Sequence, residues 1–256
     1  MSNLDRCGFR VSAALGLAAI WFLFSLPARA APANPVLVEL FTSEGCSDCP
    51  PADAFLKALD SAQPVPGAQL IVLEEHVDYW DDQGWRDPFS SHALTLRQSE
   101  YVDRLHVKNG PYTPQMVVDG SEAFVGSDRP RAARSFAKEA AVPKISVQIS
   151  APHVVDGKVL AHVEIGGVSS KAEVFIALAL DHAQSQVLKG ENGGRELEHV
   201  AVAERLTSVG KTKKDEPFSK DVSIQMDHPG QDYRLIAFVQ QAGAGKILGT
   251  AVAHVK

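Results

Sequence analysis

Two cysteines, separated by two residues and set between a short apolar strand and a helix, constrain this chain more than any other feature. The strand is Val36-Leu-Val-Glu-Leu-Phe41, a branched apolar run of the kind buried inside a sheet. The helix is Ala52 to Ala62, with Phe55, Leu56, Leu59 and Ala62 at helical spacing and a stop at Gln63-Pro64 and Pro66-Gly67. Between them runs Thr42-Ser-Glu-Gly-Cys46-Ser-Asp-Cys49-Pro-Pro51. Two intervening residues let the sulfurs close a ring at a helix N-terminus, where unpaired amides and the helix dipole stabilise a thiolate. The placement points to a redox dithiol in which Cys46 attacks and Cys49 resolves the mixed disulfide. A structural disulfide and half of a metal site are the readings that a C-x-x-C leaves open.

The N-terminus bears on which cysteines matter. Arg6 and Arg10 precede an uncharged stretch from Val11 to Ala28, which ends in Ala28-Arg29-Ala30. That is the charged, apolar, small-residue order of a secretory signal. The run approaches the lower limit for a spanning helix, but Ser12, Gly16 and Ser25 dilute it. Residues 1–30 are therefore expected to be a signal peptide cut after Ala30, with no stable membrane anchor afterwards. The cut removes Cys7 and leaves Cys46 and Cys49 as every thiol of an exported protein. The expected location is periplasmic or secreted, in a bacterium. With 3 cysteines among 256 residues, a disulfide-stapled scaffold is excluded. A net charge of −6 argues against a nucleic-acid partner, since that affinity rests on basic groups neutralising phosphates.

Strand and helix patterns alternate up to about Ala141. Leu70 to Val77 reads as a second strand, Ser90 to Leu105 as a helix, and Gln115 to Val118 as a third strand. Asp119-Gly120 reads as a hairpin turn into Ala123-Phe-Val125, and Asp128 as the cap of a helix from Arg131 to Ala141. The order is β-α-β-α-β-β-α. After Pro143 the texture turns to short branched runs: Lys144–Ser150, Lys158–Ile165, Glu173–Leu180, Ser219–Gln225, Tyr233–Gln240 and Ile247–His254. Val200 to Leu206 reads as another strand, although Glu196 to Leu206 can also be drawn as a helix. These patterns predict an α/β domain over 31–142 and an all-β sandwich-like domain over 143–256.

The segment from Pro35 to Ala141 resembles a minimal thioredoxin fold with its dithiol after the first strand. Within that superfamily the chain is similar to a family of secreted bacterial thioredoxin-like proteins of unknown function. The residues carrying the likeness are Thr42 to Asp53, His76-Val-Asp-Tyr-Trp80, Gly84 to Phe89, Tyr112-Thr-Pro-Gln115 and Gly190-Glu-Asn-Gly-Gly-Arg195. The resemblance implies a cis-proline at Thr113-Pro114 facing the dithiol, with the Thr113 backbone offered to a substrate chain. Two departures matter. Gly45 stands where thioredoxins carry Trp, and Ser47-Asp48 where they carry Gly-Pro. Asp48 disfavours a neighbouring thiolate while the helix terminus favours it, and Pro50-Pro51 can start the helix nearer Cys49.

Further side chains complete the expected site. His76 and Asp78 follow the second strand and are candidates for acid or base toward Cys49, or for ligands beside the thiolates. Tyr79, Trp80 and Trp85 form an aromatic platform or simply pack under a long loop. The Gly-rich loop carrying Arg195, followed by His199, is a connection that the family likeness places over the dithiol. Glu44 reads as an exposed neighbour of the dithiol, and Lys211 to Lys214 as a solvated loop. His153, His162 and His228 show no ligand spacing. The expected activity is thiol–disulfide exchange with thiols or disulfides of exported proteins and an unknown redox partner, with no cofactor beyond the disulfide. The alternative is a binding module holding copper or zinc through Cys46, Cys49 and His76.

Overall fold

The computed structural model describes residues 33–255, so the secretory pattern of residues 1–30 and Cys7 lie outside the described residues. Strand β1 (Asn34–Thr42) is buried from Val36 onward. It pairs in parallel with β2 (Ala68–His76) over nine registered positions, from Asn34 opposite Ala68 to Thr42 opposite His76. Helix α1 (Pro50–Ala62) connects them, packing Phe55, Leu56 and Leu59 inward and ending at Gln63 in a left-handed conformation. Helix α2 (His92–Arg104) starts where the Ser91 hydroxyl accepts from the Ala93 amide. It leads to the hairpin of β3 (Gln115–Val118) and β4 (Glu122–Val125), and β3 lies antiparallel to β1. Helix α3 (Arg129–Ala140) is capped by Asp128, whose carboxylate accepts from the Arg131 amide.

Seven strands follow: β5 (Val147–Val155), β6 (Lys158–Ile165), β7 (Ala172–Gln186), β8 (Glu196–Lys211), β9 (Phe218–Gln225), β10 (Tyr233–Gln241) and β11 (Ile247–Val255). The segment that read as either strand or helix is β8. Its alternating pattern is claimed by a long antiparallel partner, since β7 and β8 pair from Glu173–Lys211 to Gln186–Glu196. Pairing along both strands outweighs a helical spacing of a few residues.

The strands form an eight-stranded sheet in the order β11-β10-β7-β8-β2-β1-β3-β4 and a three-stranded sheet β5-β6-β9. Strands from both sides of the expected boundary at 142 therefore hydrogen-bond into one sheet. The join is narrow: β2 and β8 share a single registered parallel pair, Glu74 with Val202. One apolar cluster unites Val36, Leu40, Leu56 and Phe136 with Ala179, Val200, Ile236 and Phe238. A second fills the space between the small sheet and the other face of β7, β8 and β10, around Val163, Ile176, Leu178, Val222 and Leu235.

The β3–β4 turn ties the two halves of the chain at a second place. Asp119 and Gly120 both take positive φ, 48° and 59°, as the central residues of a tight turn in which the Ser121 amide donates to the Val118 carbonyl. Asp119 is buried, and its carboxylate accepts from the Leu37 amide at 2.8 Å and from Lys144 Nζ at 2.7 Å. Its carbonyl accepts from the Ile247 amide at 2.9 Å. Against the Gly120 α-carbon lies Gly245, so close that a Cβ there would meet its carbonyl oxygen at 2.4 Å. The turn that read as a simple hairpin is thus a buried ion-pair anchor. Removing one partner of a buried pair strands the other charge. Asp119→Ala is expected to lower unfolding stability by about 3 kcal/mol, measured by urea denaturation. An unchanged midpoint would show that Lys144 is solvated.

Candidate functional site

Cys46 and Cys49 are joined in a disulfide with their α-carbons 5.5 Å apart. Cys49 is the N-cap of α1, with Pro50 and Pro51 in the first turn. The helix therefore begins at the second cysteine, and its first turn has little left to offer a thiolate. The two prolines carry no amide hydrogen. The Cys49 amide donates to the Cys46 carbonyl, and those of Ala52 and Asp53 donate to the Cys49 carbonyl. Stabilisation of a Cys46 thiolate by unpaired first-turn amides, expected from the sequence, falls instead to the dipole.

The pair is also covered. Cys46 is 1% exposed and Cys49 0%, while Ser47 and Asp48 between them face solvent. The Gly-rich connection between β7 and β8, residues 187–195, packs on the backbone beside it. Its Asn192 is buried and donates its side-chain amide to the carbonyls of Glu44 and Cys46, both at 2.9 Å. Glu191 accepts from the Ser47 amide at 3.0 Å. Arg195 donates to the Asn192 amide oxygen at 2.9 Å, orienting it. The loop is thus strapped to the backbone of the dithiol loop from Glu44 to Ser47.

Aromatic side chains frame the other side. Gly45 abuts Trp80, for a Cβ on Gly45 would meet the Trp80 Cβ at 3.0 Å. Trp80 donates its indole N–H to Thr113 Oγ1 at 2.8 Å, and the Thr113–Pro114 peptide is cis. Pro114 is buried and approaches α1 across Gly126, whose absent Cβ leaves 3.1 Å to Ala52 and 3.2 Å to Pro114. Trp85 donates to Glu44 Oε2 at 2.7 Å. Trp80 and Trp85 therefore pack on the dithiol loop itself, whereas Tyr79 is exposed.

Beneath this surface lies a buried polar cluster. His76 shares Nδ1–H with Asp87 Oδ2 at 2.7 Å, and His199 shares its own with Glu74 Oε1 at 2.7 Å. Glu74 Oε2 accepts from the Val200 amide. The two imidazoles meet edge to face with centroids 4.7 Å apart. Glu44 joins them, with Oε1 3.5 Å from His199 Nε2 and also accepting from the Ser185 hydroxyl. Burial works against the charged form of His76, yet the Asp87 carboxylate raises it to about 10. Burial likewise opposes ionisation of Glu74, which His199 nonetheless draws down to about 2. Asp53, hydrogen-bonded to Thr42 Oγ1 at 2.7 Å, is pushed up to about 7, first by burial and then by Glu74. The Nε2 atoms of His76 and His199 have no hydrogen-bond partner, and each buried nitrogen left so costs about 1–3 kcal/mol. His199 also reaches the wall of a cleft of about 680 Å³ shared with Phe89, His182 and Ser185.

The residues singled out from the sequence thus divide. Cys46, Cys49, Thr113 and Pro114 gather around the dithiol, and His76 enters the cluster below. Asp78 stands apart, accepting from Thr95 Oγ1 at 2.6 Å and pairing with His92 at 3.0 Å near the surface. Glu44, expected to be exposed, is buried. Lysines 211 to 214 and His153 play no part here. Glu74 and Asp53 gave no signal beyond a carboxylate inside an apolar strand and one on the inward face of a helix. The grouping of Cys46, Cys49 and His76 as copper or zinc ligands concerns the reduced pair, whereas here the two sulfurs are bonded to each other.

If Asn192 is the latch of the strap, its loss exposes the disulfide. Asn192→Ala is expected to speed reduction by a water-soluble phosphine about tenfold, from two side-chain hydrogen bonds lost. Quenching with a thiol-reactive dye at timed intervals follows the reaction, and an unchanged rate would remove the strap's role.

Among solved structures, an X-ray structure of an Agrobacterium tumefaciens structural-genomics target aligns with a TM-score of 0.67 at 25% identity, covering 87% of this chain and 95% of that one. The sporulation control protein Spo0M of Bacillus subtilis follows at a TM-score of 0.30 and 11% identity, covering 44% of this chain and 47% of its own, too low to bear on the reading. A comparison with curated proteins finds no match. Residues 37–240 match the profile of a protein family of unknown function. A match over that much of the chain settles its membership: it belongs to the DUF1223 family, proteins of unknown function.

Proposed function

We propose that this protein is an exported, thioredoxin-like thiol–disulfide oxidoreductase acting through Cys46 and Cys49. The observation that carries the reading is a disulfide placed at the start of α1, directly after a buried parallel strand, with the Thr113–Pro114 loop beside it. The secretory pattern of residues 1–30 supports the location, since an oxidising compartment keeps such a pair in use. Its partners are thiols or disulfides of other exported proteins and a redox partner that resets it.

In the reducing direction the Cys46 thiolate attacks one sulfur of a client disulfide. A Cys46–client disulfide forms and one client sulfur leaves as thiolate. The Cys49 thiolate then attacks Cys46 Sγ, re-forming the Cys46–Cys49 disulfide and releasing the second client thiolate. Two electrons pass from the protein to the client. Asp53 lies one helical turn after Cys49, so both side chains share a face of α1. Its carboxyl keeps its proton to about pH 7, and it serves as the internal proton store for the Cys49 thiol. Entry of a client requires the β7–β8 strap to lift, because both sulfurs are covered in the closed form.

The test is turnover of an insulin-like disulfide substrate with a small dithiol as reductant. Wild type is expected to accelerate it and Cys46→Ser to abolish the acceleration. Cys49→Ser is expected to accumulate a covalent adduct with the client through Cys46. Equal rates for wild type and Cys46→Ser would refute the catalytic reading.

A further inference from the structure

Glu74, His76 and His199 offer one ligand atom each, all within 4.8 Å of one another, and all three side chains are buried. The arrangement around the imidazoles is the informative part. His76 spends Nδ1 on the Asp87 carboxylate and leaves Nε2 without a hydrogen-bond partner. A metal-bound histidine is held this way, with one ring nitrogen fixed by an outer carboxylate and the other free for the ion. Glu74 Oε1 stands 3.6 Å from that free nitrogen and 2.7 Å from His199 Nδ1, so it lies against one donor of each imidazole. His199 Nε2, on the opposite edge of its ring, faces Glu44 Oε1 at 3.5 Å. Donor atoms around a tetrahedral ion with bonds near 2.0–2.1 Å stand about 3.4 Å apart.

Charge points the same way. Glu44, Asp53, Glu74 and Asp87 are all buried in this region. Among the described residues, no lysine or arginine pairs with any of them, and the only cationic partners are the two histidines. A divalent ion bound there would replace the protons that the two imidazoles otherwise carry and keep the carboxylates compensated. We propose that Glu74, His76 and His199 bind one divalent transition-metal ion of the zinc class, with Glu44 as the carboxylate beyond His199. Two imidazoles with carboxylate oxygens suit zinc or cobalt over calcium or magnesium. The cleft that reaches His199 between Phe89 and Ser185 supplies the route in. The site needs neither cysteine, so it stands whether or not the disulfide exchanges with clients.

The experiment loads the full chain, disulfide intact, with one equivalent of Zn(II), desalts it and counts metal by mass spectrometry. Co(II) in place of Zn(II) reports the donors by its visible spectrum. About one ion per chain is expected, with the d–d bands of nitrogen and oxygen donors and no sulfur charge-transfer band. Cys46→Ser/Cys49→Ser is expected to retain the ion unchanged. Asp87→Asn, which alters the carboxylate that orients His76 and also accepts from the Glu44 and Phe89 amides, is expected to weaken binding about 10–100-fold, and His199→Gln to lose it. If either variant fails to fold, the wild-type stoichiometry and cobalt spectrum decide alone. A folded wild type that retains no metal, a spectrum with sulfur donors, or loss of metal in the double cysteine variant would each overturn the proposal.

Discussion

The structure depends most on the Glu74 carboxylate at the join between β2 and β8. The eight-stranded sheet is continuous through one parallel pair there, Glu74 with Val202. Backbone bonding that sparse leaves the side chain to complete the contact. Glu74 reaches across with both oxygens, one accepting from His199 Nδ1 and the other from the Val200 amide. Carrying an ionised carboxylate out of water is expensive unless every oxygen is satisfied. His199 and the Val200 amide meet that demand, and the imidazole draws the Glu74 pKa down against its burial. The same contact that closes the sheet thus builds the floor of the polar cluster.

That junction explains how the β-rich half takes part in the site. Strands β7 and β8 are fixed against β2, so the connection between them overhangs the start of α1. Asn192 and Glu191 then fall onto the backbone of Glu44, Cys46 and Ser47. Asn192 makes its two bonds to carbonyls, which any sequence would present there; the specificity lies in loop position rather than in side chains of the dithiol loop. The half that reads as an independent sandwich is therefore the cover of the cysteines and the source of His199. The contacts that the proposed exchange must open, those of Glu191 and Asn192, are separate from the bonds that Glu74 makes to His199 and Val200.

Much of the secondary structure was readable because each signal was local. Alternation and branched residues mark β6, β9 and β10, Asp128 marks the cap of α3, and Asp119-Gly120 marks the tight turn. The dithiol and the proline loop were likewise visible as short motifs. The polar cluster was not, because its members come from β1, α1, β2, β8 and two connecting loops and share no spacing along the chain. His199 read as a loop residue since β8 itself was ambiguous. Glu44 read as exposed because nothing in Thr42–Cys46 tells that Trp85, Ser185 and His199 will close over it. Asp78 misled for the opposite reason: it sits next to His76 in sequence, yet β2 ends at His76 and the chain turns Asp78 toward α2.

The proposed function requires the buried Cys46–Cys49 disulfide to trade electrons with other proteins. Its reduction potential, measured by equilibration against dithiol buffers of known poise, bears on that directly. A value above about −300 mV, within the range of exchange catalysts, is what the account predicts. A potential well below that limit would make the Cys46–Cys49 bond a fixed staple and contradict it.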